Sequence, residues 1–249
     1  MGFADFFRPK WKHSAPEVRR EALEGLSDPA ALERMARFDP EPSIREAAFA
    51  MLDPEDVEDP LLLRRLLEES EDWWARLVAV EKIDDEEVLF AAAEGDPRAC
   101  VRFAALEGVE DQDLLARLAA GGAPEDIRSA AIERLRNQGV LEDLARGDNP
   151  LWIREAAVRR LEDPRVLAAL ASGDESRWVR RAAVEGVSSD AILTKIAEGD
   201  RDTFVRRAAV RRLRNRAALD QLSRSGDELV SEAARGLADP VRSRRAAAS

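Results

Sequence analysis

The sequence is poor in the residues that most often carry chemistry. Its 249 residues include one cysteine, Cys100, and one histidine, His13. A lone thiol builds neither a disulfide framework nor a thiolate metal cluster, and a lone imidazole leaves no histidine pair for a metal. No metal and no cofactor is therefore expected. Tyrosine is absent and aromatics make up only 5%, against 36% charged residues, a balance that suits helices with much exposed surface. No apolar run reaches the roughly 18 residues of a transmembrane helix, so no membrane span is expected. The opening MGFADFFRPKWKH lacks the long apolar core and cleavage site of a secretory signal. A soluble cytoplasmic protein is the expectation. No segment shows the alternation of a β-strand, so the fold class is all-α.

What is present is a repeat. Arg19, Arg45, Arg76, Arg102, Arg128, Arg154, Arg180 and Arg206 recur every 26 residues, with a single interval of 31. Three residues after each stands an alanine, from Ala22 to Ala209, and seven after each an aliphatic residue, from Leu26 to Leu213. Three positions held in register eight times mark a repeat architecture. A ninth, partial copy has Ser231 in the arginine position, followed by Ala234 and Leu237. Between these Val-Arg segments lie others of the type Val140-Leu141…Leu144, Val166-Leu167…Leu170 and Ile192-Leu193…Ile196. Both kinds read as short amphipathic helices that need their neighbours for stability. Gly-Asp pairs such as Gly95-Asp96 and Gly173-Asp174 read as a left-handed helix stop followed by an N-capping acid. The stretch 53–60, DPEDVEDP, accounts for the long interval and reads as an acidic, proline-bounded loop. Residues 1–13 read as an N-terminal cap built on Phe3, Phe6, Phe7 and Trp11 with Arg8, Lys10 and Lys12 nearby, or else as a docking helix. The repeat region is 14–238, and 239–249 is a polar, basic tail.

The repeat resembles the HEAT repeat in its short bacterial form. The likeness rests on an Asp six residues before the arginine, seen at Asp39, Asp96, Asp148, Asp174 and Asp200, and on the Val-Arg-x-x-Ala core. It implies a right-handed α-solenoid of about eight to nine stacked two-helix repeats, with the Val-Arg helices lining the concave side. It also implies an Asp–Arg ladder between repeats, formed by Asp96, Arg102, Asp148, Arg154, Asp174, Arg180, Asp200 and Arg206. Two repeats depart from the pattern: Gly122 precedes Arg128, and Ser70 precedes Arg76. Glu125 or Glu71 could serve there instead. The opening RPKWKHSAPEVRREAL is also similar to the front end of some larger bacterial helical-repeat proteins, so the chain could be a piece of one.

A helical wheel, at about 100° per residue, separates structural from candidate functional positions. With the arginine at the origin, the apolar positions −1, +3, +4 and +7 form an arc that contains the arginine itself. A guanidinium buried there must be paired, so its role is structural. The aromatic position −2, which holds Trp74, Trp152, Trp178 and Phe204 (Cys100 in one repeat), reads as packing between repeats, with an indole over a neighbour's arginine. Positions +1, +5 and +8 are left as the solvent stripe. They include Leu77, Glu81 and Asp84 in one repeat and Phe103, Glu107 and Glu110 in the next, then Glu133 beyond. Leu77 and Phe103 are either isolated exposed apolar residues, which are ordinary, or an apolar anchor ringed by carboxylates. Near the end the stripe becomes Arg207, Arg211 and Arg214, a secondary basic patch.

Charge is divided in the same sense. Residues 51–150 hold 11 Lys/Arg against 26 Asp/Glu, whereas 151–249 hold 20 against 15. The expected function is a non-catalytic scaffold that binds a basic or amphipathic protein segment in an acidic concave groove. The alternative is nucleic-acid binding through the C-terminal arginines, which the acidic middle opposes. An enzyme finds no supporting constellation. Self-association of a basic end with an acidic middle is a further possibility.

Overall fold

The computed structural model describes residues 8–238; Phe3, Phe6 and Phe7 of the expected cap, and the tail 239–249, lie outside them. Among the described residues there are helices and turns and no strand. The chain divides into two compact units, with the division falling within one helix at Leu114 and Leu115.

The first unit contains α1 (Pro16–Leu23), α2 (Pro29–Phe38), α3 (Pro42–Ala50), α4 (Pro60–Glu69), α5 (Trp73–Lys82), α6 (Glu86–Gly95) and α7 (Ala99–Gly108). Helix α8 (Gln112–Ala120) carries the division point. The second unit continues with α9 (Glu125–Arg134), α10 (Gln138–Arg146), α11 (Leu151–Arg160), α12 (Pro164–Gly173), α13 (Arg177–Gly186), α14 (Asp190–Gly199), α15 (Thr203–Arg212), α16 (Arg216–Leu222) and α17 (Glu228–Ala238). Odd-numbered helices carry the Val-Arg motif or its Ser231 variant.

The wheel positions explain the packing. Ala48, Ala79, Ala105, Ala131, Ala157, Ala183 and Ala209, each three residues after an arginine, have no exposed surface. Ile44, Val101, Ile127, Ile153 and Val179, each one residue before it, are likewise sealed. A methyl side chain at +3 lets adjacent helices approach closely, while the branched residues at −1, +4 and +7 fill the space between them. In α1 the same positions, Val18, Ala22 and Leu26, are only half-buried.

The even-numbered helices α2, α4, α6, α10, α12, α14 and α16 each pack most closely on the odd-numbered helix that follows. The tight hairpin therefore runs across the Asp-containing turn. Glycine permits the close approach in two hairpins. A Cβ on Gly108 would lie 2.5 Å from Leu89 Cδ1, and one on Gly186 would lie 2.7 Å from Leu167 Cδ1. Within the second unit, the odd helices α11, α13, α15 and α17 also pack on one another in succession.

No Gly-Asp turn has the expected left-handed glycine, and of the acids Asp227 alone is the expected N-cap, accepting the N–H groups of Leu229 and Val230 that open α17. No glycine among the described residues has positive φ. Gly95, Gly173 and Gly199 close their helices in ordinary helical conformation, and Asp96, Asp174 and Asp200 are the extended C-cap residues that follow. Elsewhere the N-caps are other residues: Asp72, Ser176 and Asp202 accept the N–H groups that open α5, α13 and α15. The carboxylates of Asp96, Asp174 and Asp200 instead accept the N–H two residues on and serve the arginines. The 53–60 stretch is more ordered than a loop. Pro54–Asp56 forms a 3-10 turn, Val57 is fully buried, and Lys82 Nζ donates to the carbonyls of Glu55 and Val57 at 2.6 and 2.9 Å.

Candidate functional site

The repeat arginines are the first question, because they are the most regular polar residues. Arg19, Arg76 and Arg180 are buried and show one arrangement. Arg180 donates through Nε and Nη2 to the Asp200 carboxylate at 2.8 and 3.0 Å, and through Nη1 to the carbonyls of Asp174 and Glu175 at 2.9 and 3.0 Å. Arg19 does the same with Asp39, His13 and Ser14, and Arg76 with Asp96, Ser70 and Glu71. The planar fork of donors is thus used on a carboxylate ahead and on backbone behind. Asp39, Asp96, Asp174 and Asp200 each serve two arginines. Asp174 gives its carboxylate to Arg154 and its carbonyl to Arg180; Asp200 gives its carboxylate to Arg180 and its carbonyl to Arg206. This is a ladder that consumes the guanidinium donors and leaves little for a ligand.

The partner assignment needs one correction. The missing acid at Ser70 is not felt by Arg76, the arginine that follows it. Arg76 takes the carbonyl of Ser70 as readily as it would that of an aspartate and keeps its carboxylate at Asp96. The acid missing at Ser70 falls to Arg45, which donates to the carbonyls of Asp39 and Pro40. Arg102 donates through Nη1 to the carbonyls of Asp96 and Pro97, at 2.9 and 3.3 Å. Asp148 also departs from the ladder, being exposed. Its helix α10 stops one residue early, so Gly147 becomes the C-cap and the aspartate swings outward. Arg154 then uses Nε on the Ala145 carbonyl at 2.9 Å and keeps Asp174 as its carboxylate. Arg128 makes the matching bond to the Ala119 carbonyl at 3.1 Å, and its guanidinium lies 5.3 Å from the Trp152 ring.

Electrostatics follow the ladder. Burial pushes the Asp39 carboxyl upward, but the Arg19 guanidinium and the Glu41 N–H outweigh it and hold the pKa below its ordinary value. The Thr203 hydroxyl and Arg206 together hold Asp227 at about 2. Both carboxylates are structural anions.

The aromatic position −2 behaves differently from the sequence expectation. Trp152 is half-buried against Arg128, as the joint reading requires. Trp74, Cys100, Trp178 and Phe204 are exposed. Position −2 falls in the first helical turn, where the Asp-containing turn leaves the ring uncovered. These residues join the surface rather than the joints.

The solvent stripe is exposed along most of its length. In the first unit Phe103 stands 39% exposed on α7, with Glu107 one turn further. Glu110 follows in the turn, its backbone N–H held by the Glu86 carboxylate at 2.9 Å. On α5, which packs on α7, Leu77 is half-buried with exposed Glu81 one turn on and Asp84 beyond. Trp74, one turn before Leu77, enlarges the apolar part of this face, and its ring meets Trp73 edge-on with centroids 6.0 Å apart. The side chains of Glu81, Asp84, Glu107 and Glu110 make no ion pair or hydrogen bond with any described residue. The second unit holds Glu133, exposed on α9. On α11 the stripe neutralises itself, since Glu155 pairs with Arg159 at 3.0 Å. On α15 and just past it, Arg207 is half-buried and Arg211 and Arg214 are exposed.

Sequence reading missed a set of latches that order these turns. Glu33 accepts from the N–H groups of Glu58 and Asp59, Glu86 from Glu110 and Asp111, Gln138 from Glu162, and Asp190 from Arg214. Their spacing, 53 and then 52 and 52 residues, is the one signal that could have found them. Two open clefts of about 550 and 560 Å³ flank Ser70 and Asp148, where the ladder departs from its pattern, and none of the acidic stripe residues lines them.

No helix among the described residues is long and apolar enough to cross a membrane. No protein-family model matches the chain, and no curated protein matches it. Among solved structures, the chain is similar to the X-ray structure of YibA from E. coli, with 17% identity over 91% of this chain and 97% of that one. The TM-score is 0.39, too low for that likeness to inform fold or function.

Proposed function

We propose that the protein is a non-catalytic, HEAT-like scaffold that holds a basic, amphipathic protein segment against the acidic face of α5 and α7. The observation that carries this reading is the cluster of unpaired carboxylates, Glu81, Asp84, Glu107 and Glu110, around the exposed Phe103 and the half-buried Leu77. An exposed ring among unpaired acids suits a partner that brings both an apolar side chain and positive charge. In this reading Glu133 is the matching stripe position on α9, the Val-Arg helices line the concave side of a right-handed solenoid, and the protein works in the cytoplasm. The resemblance of the 26-residue unit to HEAT repeats supports it.

A labelled basic amphipathic helix peptide, titrated by fluorescence anisotropy, tests the proposal. Wild type should bind it, and Phe103→Glu combined with Glu107→Lys should weaken binding at least tenfold with an unchanged melt. Equal binding by the two proteins would refute it. The competing nucleic-acid reading has Arg207, Arg211 and Arg214 in its favour, since none of their side chains has a carboxylate partner among the described residues. Salt-sensitive retention of a labelled single-stranded DNA would favour that reading.

A further inference from the structure

The second unit carries an exposed aromatic pair that the acidic face does not use. Trp178 in the first turn of α13 and Phe204 in the first turn of α15 occupy equivalent repeat positions on helices that pack side by side. They are 42% and 52% exposed. Single exposed rings are ordinary, but these two wall a cavity of about 230 Å³, together with Arg177, Arg181, Asp202 and Val205. That is smaller than the roughly 300–1,000 Å³ of pockets that enclose a cofactor-sized ligand, and suits one large side chain.

The charge around it is positive and unspent. Arg181 stands one turn after Trp178, Arg207 one turn after Phe204, and Arg211 one turn beyond that. None of these three side chains makes a hydrogen bond or ion pair with another described residue. The wall acid, by contrast, is committed: Asp202 accepts the N–H groups of Phe204 and Val205 and pairs with Arg177 at 3.4 Å. Glu185, one turn after Arg181, is the other acid on this face and is exposed. The Arg177 guanidinium lies 4.8 Å from the Trp178 ring, which fixes the indole as a wall.

We propose that this pocket is a second docking site, which takes a large apolar side chain from a partner segment whose neighbouring residues are carboxylates. The apolar side chain fills the space between the rings, and the carboxylates meet the fork-shaped donors of Arg181, Arg207 and Arg211. The chemistry is opposite to that of the α5–α7 face, so the two sites select different segments.

The test is an anisotropy titration of the full chain with a fluorescein-labelled peptide of six glutamates around a central phenylalanine. Binding should fall at least tenfold in Trp178→Ala, in Arg181→Glu and when serine replaces the peptide's phenylalanine. It should be unchanged in Phe103→Glu, which separates this site from the α5–α7 face. If Trp178→Ala fails to fold, Arg181→Glu and Arg211→Glu, both at exposed positions, decide. Equal binding by the variants, or by a lysine version of the peptide, would overturn the proposal. So would a labelled oligothymidylate that outcompetes the peptide and is lost in Arg181→Glu. Light scattering of the protein alone that rises at low salt and disappears in Arg181→Glu would assign the pocket to a second copy and overturn it equally.

Discussion

Two adjacent arginines in α13 have opposite fates. Arg180 is buried, and its donors are committed to Asp200, Asp174 and Glu175; Arg181 is exposed with no described partner. Removing one member of a buried pair leaves the other charge stranded, which costs about 3–5 kcal/mol, whereas an isolated surface change stays within about 0.5 kcal/mol. Arg180→Ala should therefore lower the thermal midpoint by many degrees and Arg181→Ala by almost nothing, as a paired melt will read. Equal shifts would show that the ladder is not structural. The carboxylate side gives a pH prediction. Folding lowers the Asp227 carboxyl from 3.8 to about 2, so in that window the unfolded chain binds more protons than the folded one. Its contribution is complete above about pH 4 and is lost as the pH falls through about 2. Thr203→Val, which removes the hydroxyl donated to Asp227, should move the acid transition followed by circular dichroism to higher pH.

At the scale of the helix, most of the packing was legible because it depends on angle alone. The +3 alanines and −1 aliphatics were read from the wheel and, beyond the half-buried Val18 and Ala22 of α1, are buried in the structure. Ala157→Leu should accordingly overpack the space around α11 and destabilise by about 1–3 kcal/mol in a denaturant titration. The wheel failed where depth along the helix matters. Trp178 and Phe204 have the angle of a joint but sit in the first turn, clear of the neighbouring helix. It was also blind to backbone acceptors: the carbonyls of Ala119 and Ala145 receive Arg128 and Arg154, and no side-chain pattern announces that. The resemblance supplied the Asp–Arg ladder, but the early stop of α10 that removes Asp148 from it is a local backbone event.

Across the whole molecule, exposed charge of opposite sign collects on different helices. The charged stripe positions are unpaired acids on α5 and α7, a self-neutralised pair on α11, and on α13 and α15 unpaired arginines with one exposed acid, Glu185. Acids and arginines left without intramolecular partners keep their full field for a visiting segment, and that field weakens as salt screens it. The sequence already located the acidic middle and basic end, but which of those charges were spent internally required coordinates. In the proposed function the acidic face of α5 and α7 receives a basic amphipathic segment. Amide hydrogen exchange on the full chain, with and without a saturating basic amphipathic peptide, tests it most directly. Slowed exchange is expected in residues 73–84 and 99–111, with α13 and α15 unchanged. Slowed exchange confined to α13 and α15, or none anywhere at saturation, would contradict it.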